Sequence, residues 1–485
     1  MIKIDEMTDR THIACFVIAV IFSCAGLALA QTTPTAKIQD NAISPQSVSA
    51  VAVTPDGTNL VVSRYSPNGN ETRGNEDDSI EVWSLHSTLA PQTFATHLHP
   101  IRSLAFSHNS EWLGAASQGF ETILDEPPAA PHIFVGKVYL WHVADAVEVK
   151  LSRPNIVWFY GNEGTYDEWS ATSVAFSPDD KQVVADIFEI DDYPGYNARA
   201  TFFDISKRHA VNNTNLYAQD SDIFDVWRRF SWLSPDGRRA FALEENRPVL
   251  FDTLNGKRLS SFAESRLYFR PSDQDECALG IHAFGFAAFQ PDMRQVALAN
   301  DAELEIRDAR TGTIKARATF KETNNATRSL TAAFAPDGKA LAVSRCGQNH
   351  EVRLYETSAL QLRATWPVES VQTSLQFSPD GSLVFTAGLD GLIRFWDMEK
   401  LTLLATLLRS PSGEWVVFTP DGLYDSSPAG AALLVWHLNG RSVSASELPN
   451  MRQPGLLSAL VGGKRPKPGT PLAQAIVKAL PQSHD

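Results

Sequence analysis

The chain has 485 residues, of which 43% are hydrophobic and 20% are charged. This balance is that of a folded globular protein, and it excludes a disordered or fibrous chain. The formal net charge of −14 would repel a phosphate backbone, so nucleic acid is excluded as an expected partner.

The N-terminal end carries an uncharged apolar segment, residues 13–30, which finishes with Ala28, Leu29 and Ala30. An apolar run followed by small residues at positions −3 and −1 is the pattern that a signal peptidase cleaves, so we predict a signal peptide at residues 1–30. Two alternatives remain open. The segment is long enough for an uncleaved membrane anchor, and residues 21–24 weakly match a lipoprotein signal. All three export the rest of the chain, so we expect a periplasmic or extracellular protein, with membrane contact only if the segment is retained.

A short phrase recurs along the rest of the chain: an apolar strand, a turn of the Pro-Asp-Gly type and a second apolar strand. The last steps between copies, of 45, 43 and 41 residues, approach one repeat length, and the longer earlier steps indicate insertions. Apolar residues alternate with a period of two, which predicts strands and excludes helices. The copies lie at residues 51–57, 104–110, 174–180, 231–237, 287–293, 332–338, 375–381 and 413–430.

Each copy continues into a third strand that ends near an aromatic or acidic residue, and often into a fourth, more polar strand, as at residues 311–320. A four-stranded unit cannot bury both of its faces alone, so such units must stack around a common axis. Proline pre-sets φ and glycine accepts a positive φ, which suits this phrase to a tight connection between strands. The sequence therefore predicts an all-β propeller.

The phrase FSPDG at residues 377–381, followed by GLDGLIRFWD at residues 388–397, resembles a WD40 repeat. The resemblance extends over about residues 46–408 and implies a seven-bladed WD40-type β-propeller that acts as a protein-interaction scaffold. Residues 413–445 form either a partial eighth blade or a capping hairpin, so seven and eight blades both stay open. We place the propeller at residues 46–445.

The ends of the chain complete this organisation. Residues 31–45 are expected to supply a linker and a closing strand, and residues 446–485 a tail with short helices. In that tail, Thr470 as N-cap and Pro471 as first residue predict a helix over residues 470–480. Leu472, Ile476 and Leu480 would line one face of this helix, and docking back on the propeller is favoured over binding a partner.

Six segments between strands are enlarged, and each carries a net charge of −3. In WD40 propellers the connections of this kind emerge on one face, so the resemblance implies an acidic, aromatic face over blades one to four. Such a surface suits a cationic protein or peptide, although long exported loops can also be acidic for solubility, with their aromatic residues packed inside. The segments are residues 65–78, 117–136, 161–170, 188–198, 215–225 and 271–282.

The candidate partner-binding residues come from five of these segments, because loops on a rigid scaffold commonly carry binding functions. They combine aromatic rings with carboxylates, a combination that attracts cations. They are Tyr65, Asp77, Asp78, Phe120, Tyr166, Trp169, Asp191, Asp192, Tyr193 and Tyr217.

No catalytic signature for a nucleophile, a zinc peptidase or a nucleotide-binding loop occurs in the sequence, so we predict a non-enzymatic protein without cofactor or catalytic residues. One alternative is a propeller enzyme, lactonase-like or quinoprotein-like, that uses the central channel. Calcium is a weaker possibility, because the spacing of a recognised site is absent. Its candidates are Asp220, Asp222 and Asp225, and also Asp273, Asp275 and Glu276.

A second resemblance concerns residues 413–430, 433–440 and 451–463. They are similar to the segment that follows the WD40 repeats in some bacterial proteins with a caspase-like (peptidase C14-type) domain. This sequence contains no QACxG-like cysteine motif, so the resemblance is to the non-catalytic part of those proteins. It leaves open a regulatory role beside a separately encoded peptidase.

Two cysteines remain after residue 30, Cys277 and Cys346. Both are expected on the same side of the propeller, but blade five lies between them. Only a long, folded-back loop could bring their Cα atoms within the ~7 Å that a disulfide requires. A disulfide between them is therefore the less favoured possibility, and both possibilities stay open.

Overall fold

The computed structural model of the chain divides into two compact units, each described by itself. Residues 45–411 form the ring unit, and residues 1–44 together with 412–485 form the terminal unit. The structure describes residues 35–38, 46–65, 79–87, 91–96, 101–117, 119–122, 132–135, 137–151, 169–191, 195–220, 232–244, 247–262, 286–299, 302–320, 328–347, 349–438 and 441–479.

The described strands of the ring unit fall into seven sheets, numbered here in chain order, and each sheet is built around four antiparallel strands. The first sheet contains β2 (Ser47–Val53), β3 (Asn59–Tyr65), β4 (Ser79–Ser84) and β5 (Gln92–Thr96). The second contains β6 (Ile101–Phe106), β7 (Trp112–Ser117), β10 (Val138–His142) and β11 (Val147–Glu148). The third contains β12 (Trp169–Phe176), β13 (Gln182–Asp191), β14 (Gly195–Asp204) and β15 (His209–Asp220), joined by the hairpin β8 (Gly119–Thr122) and β9 (His132–Val135).

The remaining four sheets follow the same plan. The fourth contains β16 (Trp232–Leu233), β17 (Arg239–Glu244), β18 (Arg247–Asp252) and β19 (Arg258–Ser261), and the fifth β20 (Phe286–Phe289), β21 (Gln295–Ala299), β22 (Glu303–Asp308) and β23 (Ile314–Thr319). The sixth contains β24 (Arg328–Phe334), β25 (Ala340–Cys346), β26 (Glu351–Glu356) and β27 (Gln361–Pro367), and the seventh β28 (Gln372–Phe377), β29 (Leu383–Gly388), β30 (Ile393–Asp397) and β31 (Thr402–Arg409).

Neighbouring sheets pack face to face and return to their start. The first strands β2, β6, β12 and β16 contact one another in turn, as do β20, β24 and β28, and β28 contacts β2 again. Between the fourth and fifth sheets, Phe241 and Phe289 lie with ring centroids 5.3 Å apart. Between the sixth and seventh, Trp366 and Trp396 stack at 4.7 Å. This closed ring of sheets confirms the prediction of an all-β propeller.

The recurring Pro-Asp-Gly phrase forms a hydrogen-bonded turn between first and second strands. In the seventh sheet the Ser378 hydroxyl donates to Asp380 Oδ1 (2.6 Å) and accepts from the Leu383 N–H (2.9 Å). Gly381 has φ +72°, which L side chains rarely adopt. Burial raises the pKa of the Asp380 carboxyl, but hydrogen bonds from Ser378 and Ser382 outweigh burial and keep this pKa below its usual value. The same serine–aspartate bond joins Ser177 to Asp179 and Ser234 to Asp236.

A buried ion cluster joins the first sheet to the seventh. The Glu81 carboxylate on β4 accepts from Arg64 Nε on β3 (3.2 Å) and from Trp83 Nε1 (3.2 Å), and it also pairs with Arg409 Nη1 on β31. Arg64 Nη1 donates to the Gly391 carbonyl of the seventh sheet (3.1 Å). Because the side chains of Arg64 and Glu81 are fully buried, losing either would leave the other as a desolvated, unpaired charge.

The terminal unit contains short strands and two short helices. The strand β1 (Thr35–Ile38) lies within the segment that was expected to supply a closing strand. It pairs antiparallel with β34 (Leu434–Leu438) of the same unit, with Thr35 opposite His437. Among the described residues, which leave out residues 1–34, no helix is long and apolar enough to cross a membrane. The elements are β1 (Thr35–Ile38), β32 (Trp415–Phe418), β33 (Tyr424–Ser426), β34 (Leu434–Leu438), β35 (Arg441–Ser444), the helices Leu456–Val461 and Leu472–Ala479, and the 3-10 segments Gly430–Leu433, Ala445–Glu447 and Pro449–Met451.

The predicted C-terminal helix is confirmed at Leu472–Ala479. The Pro471 carbonyl accepts from the N–H groups of Gln474 and Ala475, and the helix begins at Leu472, one residue after the predicted first residue Pro471. Leu472 and Ile476 are buried, as expected for a helix that docks within the chain. An added Cβ at Gly422 would lie 2.7 Å from Leu472 Cδ1, which identifies the Gly422 turn as one docking surface.

We expect Ser378→Ala to lower the free energy of unfolding by about 1–3 kcal/mol, because it removes the shared partner of the Leu383 N–H and the Asp380 carboxylate. Ser382→Ala in the same turn removes an exposed hydroxyl and is the matched control, with an expected effect below about 0.5 kcal/mol. Urea unfolding monitored by tryptophan fluorescence measures both. Equal shifts for the two variants would contradict the role of Ser378.

Glu81→Ala is expected to destabilise the ring unit by about 3–5 kcal/mol, because it leaves the buried Arg64 guanidinium without its counter-charge. Glu111→Ala serves as control, since this exposed carboxylate accepts from Asn109 Nδ2 at the surface. Differential scanning calorimetry compares their midpoints. If both variants melted at the same temperature, the ion cluster would not hold the ring closed.

Candidate interaction surface

The third sheet is longer than the other sheets of the ring unit. β13 and β14 have ten residues each and β15 has twelve, whereas described strands in the other six sheets have two to eight. The register places Asp191, Gly195 and Asp220 in one row at the far end. Residues 188–191, 195–198 and 215–220 are therefore strand, and the prediction of loops there is wrong, because apolar residues continue through Ile187, Phe188 and Ile190.

The hairpin β8–β9 joins the same end of the sheet. Val135 of β9 is paired in parallel with Trp169, the first residue of β12. Phe120 is paired with Phe134 across the hairpin. Part of the segment 117–136, which we predicted as a loop, is therefore also strand.

The pairing between the third and fourth strands of the third sheet contains an additional bulge, at the point where β15 continues beyond the length of the other fourth strands. In several sheets, the pairing between the third and fourth strands contains one bulge. In the third sheet this bulge lies at Phe202 and Phe203. The third sheet has a second bulge at Ala198 and Arg199, opposite the additional residue Leu216. Leu216 is buried with apolar residues of the fourth sheet, which anchors the base of the longer part. Bulges of this kind occur preferentially at sheet edges and beside functional sites.

We name this longer part the third-sheet extension, and it contains four of the ten predicted partner-binding residues. It comprises residues 119–122, 132–135, 169–170, 188–191, 195–198 and 217–220. Trp169, Asp191 and Tyr217 lie on β12, β13 and β15, and Phe120 lies on β8.

The other six candidates lie elsewhere. Tyr65 ends β3 in the first sheet and is 8% exposed, so its ring packs inside the unit and the prediction that it faces a partner is wrong. Asp77, Asp78, Tyr166, Asp192 and Tyr193 lie outside the described residues.

The register sorts the extension into two sets of positions. Trp169 is paired with Glu189, and Asp191 lies two residues further along the same strand, opposite Gly195 and in row with Asp220. Because rows and alternate residues share a face, these four positions belong to one face of the sheet. Three of these four positions are occupied by acidic residues, and the fourth is occupied by Trp169.

The other face includes three aromatic positions. Phe188, Ala198 and Tyr217 share one row, and Tyr196 lies in the next row of that face. Glu189 and Tyr196 are absent from our ten candidates. The signal that could have found them is the alternating pattern of residues 182–191, which continues past the expected end of the strand.

The opposite end of the β14–β15 hairpin is fixed by a charged turn. Asp204 accepts from the Ser206 hydroxyl (2.7 Å) and from the Lys207 N–H (2.9 Å). These hydrogen bonds lower the pKa of Asp204 to about 2. The Asp204 carboxylate therefore stays ionised at neutral pH. Its hydrogen bonds stabilise the turn between β14 and β15, the two strands that continue into the extension.

The calcium candidates are not assembled by the described residues. Asp220 ends β15, whereas Asp222, Asp225, Asp273, Asp275 and Glu276 lie outside the described residues. In the part of the chain that the structure describes, no three histidine, cysteine or acidic side chains come together as a metal site.

Cys346, the last residue of β25, is disulfide-bonded and buried. Cys346 therefore has the bonded form, which was the less favoured possibility from the sequence. The other cysteines, Cys15, Cys24 and Cys277, lie outside the described residues.

Comparison with known proteins identifies one repeat directly. The family model "WD domain, G-beta repeat" matches residues 362–397, which include β28, β29 and β30. The chain therefore contains a WD40 repeat within its β-propeller.

Two similar proteins also carry propeller or WD-repeat names. "Cross-pathway control WD-repeat protein 2" of Flammulina velutipes is 23% identical over 111 residues, which are 23% of this chain and 35% of the relative, so the chain spans about a third of that relative. The crystal structure of the Cps50 (Swd1) β-propeller domain of Myceliophteria thermophila is 17% identical, with a TM-score of 0.49, covering 74% of this chain and 100% of that one.

Breaking the disulfide should destabilise the ring unit. We expect Cys346→Ser to lower the free energy of unfolding by about 2–5 kcal/mol, because the unfolded chain regains conformational freedom. Reduced wild type should match the variant in urea unfolding. Labelling with a maleimide under denaturing, non-reducing conditions should leave Cys346 unmodified, and a modified Cys346 would contradict the bond.

Proposed function

We propose that this chain is an exported, non-enzymatic WD40-type propeller that serves as a protein-interaction scaffold and binds its partner through the third-sheet extension. WD40 propellers generally mediate protein–protein interactions, and rigid scaffolds commonly place binding residues at the ends of their elements. The observation that carries the proposal is the register of β12 to β15. It gathers Trp169, Asp191 and Tyr217, which the sequence separates, at one end of one sheet.

The chemistry of this surface favours a cationic partner. The extension carries Glu189, Asp191 and Asp220 with Trp169 on one set of positions. Carboxylates attract lysine and arginine over a distance, and a tryptophan ring binds a cation on its face. A protein or peptide with a Lys/Arg-rich segment is therefore the class of partner that we propose.

Export is supported by two independent features. The first is the apolar segment with the Ala-Leu-Ala ending at residues 28–30, which has the pattern of a signal peptide. The second is the disulfide at Cys346, since such bonds persist in oxidising compartments and are rare in the cytosol. A periplasmic or extracellular location accounts for both.

The proposal is tested by partner capture from the exported fraction. Purified wild type is compared with the triple variant Glu189→Gln, Asp191→Asn and Asp220→Asn, and with a control triple variant that removes the same charge elsewhere. The control changes three exposed glutamates to glutamine: Glu111, Glu369 and Glu399.

We expect the extension variant to lose captured protein by about tenfold or more at low salt, because close charge pairs contribute strongly to such complexes. The control should retain wild-type capture, and the wild-type signal should fall as salt screens the charges. Quantitative mass spectrometry measures the captured proteins. If the extension variant captured the same proteins at the same level as the control, the surface would be assigned wrongly.

A further inference from the structure

The turns at one end of the ring unit carry an uneven distribution of charge. In each four-stranded sheet, the turn between the first two strands and the turn between the last two lie at the same end, because the strands alternate in direction. Five of these turns, one in the third sheet and two each in the fourth and fifth, contain with their flanking residues nine lysines and arginines and five acidic residues. We name them the basic patch, which comprises residues 204–209, 236–239, 252–258, 292–294 and 308–315.

Turns of the first, second and seventh sheets at this end carry the opposite charge. They contain seven acidic residues and one lysine, in residues 56–59, 109–112, 142–148, 380–383 and 397–402. This end of the ring unit is therefore polarised, with a basic part over the third to fifth sheets beside an acidic part. The excess of four positive charges in the basic patch contrasts with the formal net charge of −14 of the whole chain.

Hydrogen bonds join the turns of the basic patch into one continuous surface. Between the fourth and fifth sheets, Arg239 Nη1 donates to the Met293 carbonyl (2.8 Å). Between the third and fourth sheets, the Thr214 hydroxyl of β15 donates to the Leu254 carbonyl (3.2 Å). Within the fourth sheet and within the fifth sheet, a backbone hydrogen bond also joins the two turns. The charges of three sheets are thus held together.

The aspartates of the basic patch are bonded to their own turns. Asp308 accepts from the N–H groups of Arg310 (3.0 Å) and Thr311 (2.9 Å), and Asp292 accepts from the N–H of Arg294 (2.9 Å). These carboxylates stabilise the turn backbone, which leaves the lysine and arginine side chains as the groups that can bind a partner.

The cations of the basic patch are accessible. Where they pair with an aspartate, as Lys207 does with Asp204 at 3.3 Å, the lysine is exposed, and exposed pairs contribute little. Three exposed cations form no ion pair within the part of the chain that the structure describes: Arg238, Lys257 and Arg310.

Exposed apolar side chains accompany these charges. Leu254, in the same turn as Lys257, is 56% exposed, and Leu259, next to Arg258, is 40% exposed. Large apolar side chains with this exposure are rare among the described residues. The basic patch therefore offers apolar contact together with positive charge.

We propose that the basic patch is a second binding surface, which binds an acidic protein segment with an apolar residue that contacts Leu254. Arginine pairs with carboxylates through two parallel hydrogen bonds and is enriched at protein interfaces. An anionic membrane fits less well, because a planar bilayer would also meet the acidic turns of the neighbouring sheets. The turn at residues 204–209 lies at the opposite end of the β14–β15 hairpin from the third-sheet extension, so this surface is separate from the one proposed above.

The probe is a sixteen-residue peptide, capped at one end and fluorescently labelled at the other, with eight glutamates, two leucines and six serines. One control peptide replaces glutamate with lysine, and a second replaces leucine with serine. Fluorescence anisotropy at low salt measures binding to the purified chain. Co-sedimentation with vesicles of phosphatidylglycerol and phosphatidylcholine measures membrane binding.

The patch variant combines Arg238→Gln, Lys257→Gln and Arg310→Gln, and it should bind the probe about tenfold more weakly than wild type does. Added salt should weaken wild-type binding, because it screens the charges. A control variant loses the same charge outside the basic patch and should bind as wild type does. It changes three exposed cations to glutamine: Lys150, Arg363 and Lys400.

The apolar contact is tested separately. Leu254→Ser should weaken binding of the probe by about fivefold, whereas Leu362→Ser, at a side chain that is 48% exposed on β27, should have no effect. The lysine peptide should not bind the basic patch, and the peptide without leucine should bind wild type as weakly as the probe binds Leu254→Ser.

Three results would overturn the inference: no binding of the probe, equal binding by the patch variant and the control variant, or binding of wild type to the anionic vesicles but not to the probe. The last result, if lost in the patch variant, would assign the surface to a membrane. The variant of Glu189, Asp191 and Asp220 leaves the basic patch unchanged and should bind the probe as wild type does. Failure of this inference therefore leaves the proposed function standing, and partner capture decides that function independently.

Discussion

The structure depends on one constraint: a four-stranded sheet with two apolar faces must have both faces covered. Each sheet of the ring unit meets this need by packing against its two neighbours, as Trp366 and Trp396 do between the sixth and seventh sheets. A row of such sheets leaves an uncovered apolar face at each end until the last sheet packs against the first. The buried cluster of Glu81, Arg64 and Arg409 lies at that meeting point, where charge pairing adds to apolar packing.

The third-sheet extension follows from the same constraint. Where its strands lie between the neighbouring sheets, most of the buried side chains are apolar, as for Ile187 and Leu216. Beyond the bulge at Ala198 and Arg199 the sequence changes to carboxylates, amides and aromatic residues. A rigid sheet holds such residues at a fixed spacing. Fixed spacing would reduce the entropy cost of the partner binding that we propose.

The sequence predicted the sheets well, because period-two alternation and the Pro-Asp-Gly turns are local signals. The helix at Leu472–Ala479 was equally accessible, through its proline start and its apolar face. The third-sheet extension was harder to predict from the sequence. Acidic residues between strands suggested loops, but pairing with β12 and β15 made strands of residues 188–191 and 195–198, and that pairing is not local. The burial of Tyr65 and the disulfide of Cys346 likewise depend on contacts that no single segment specifies.

The ion pair between Glu81 and Arg409 joins residues 328 positions apart in the chain. No folding intermediate that lacks the last sheet can form it, so the final topology waits until nearly the whole ring unit has been synthesised. Contacts of such high sequence separation slow folding, because a long chain must lose its entropy before they form. For the export that we propose, this delay would keep the ring from closing before the chain has crossed the membrane.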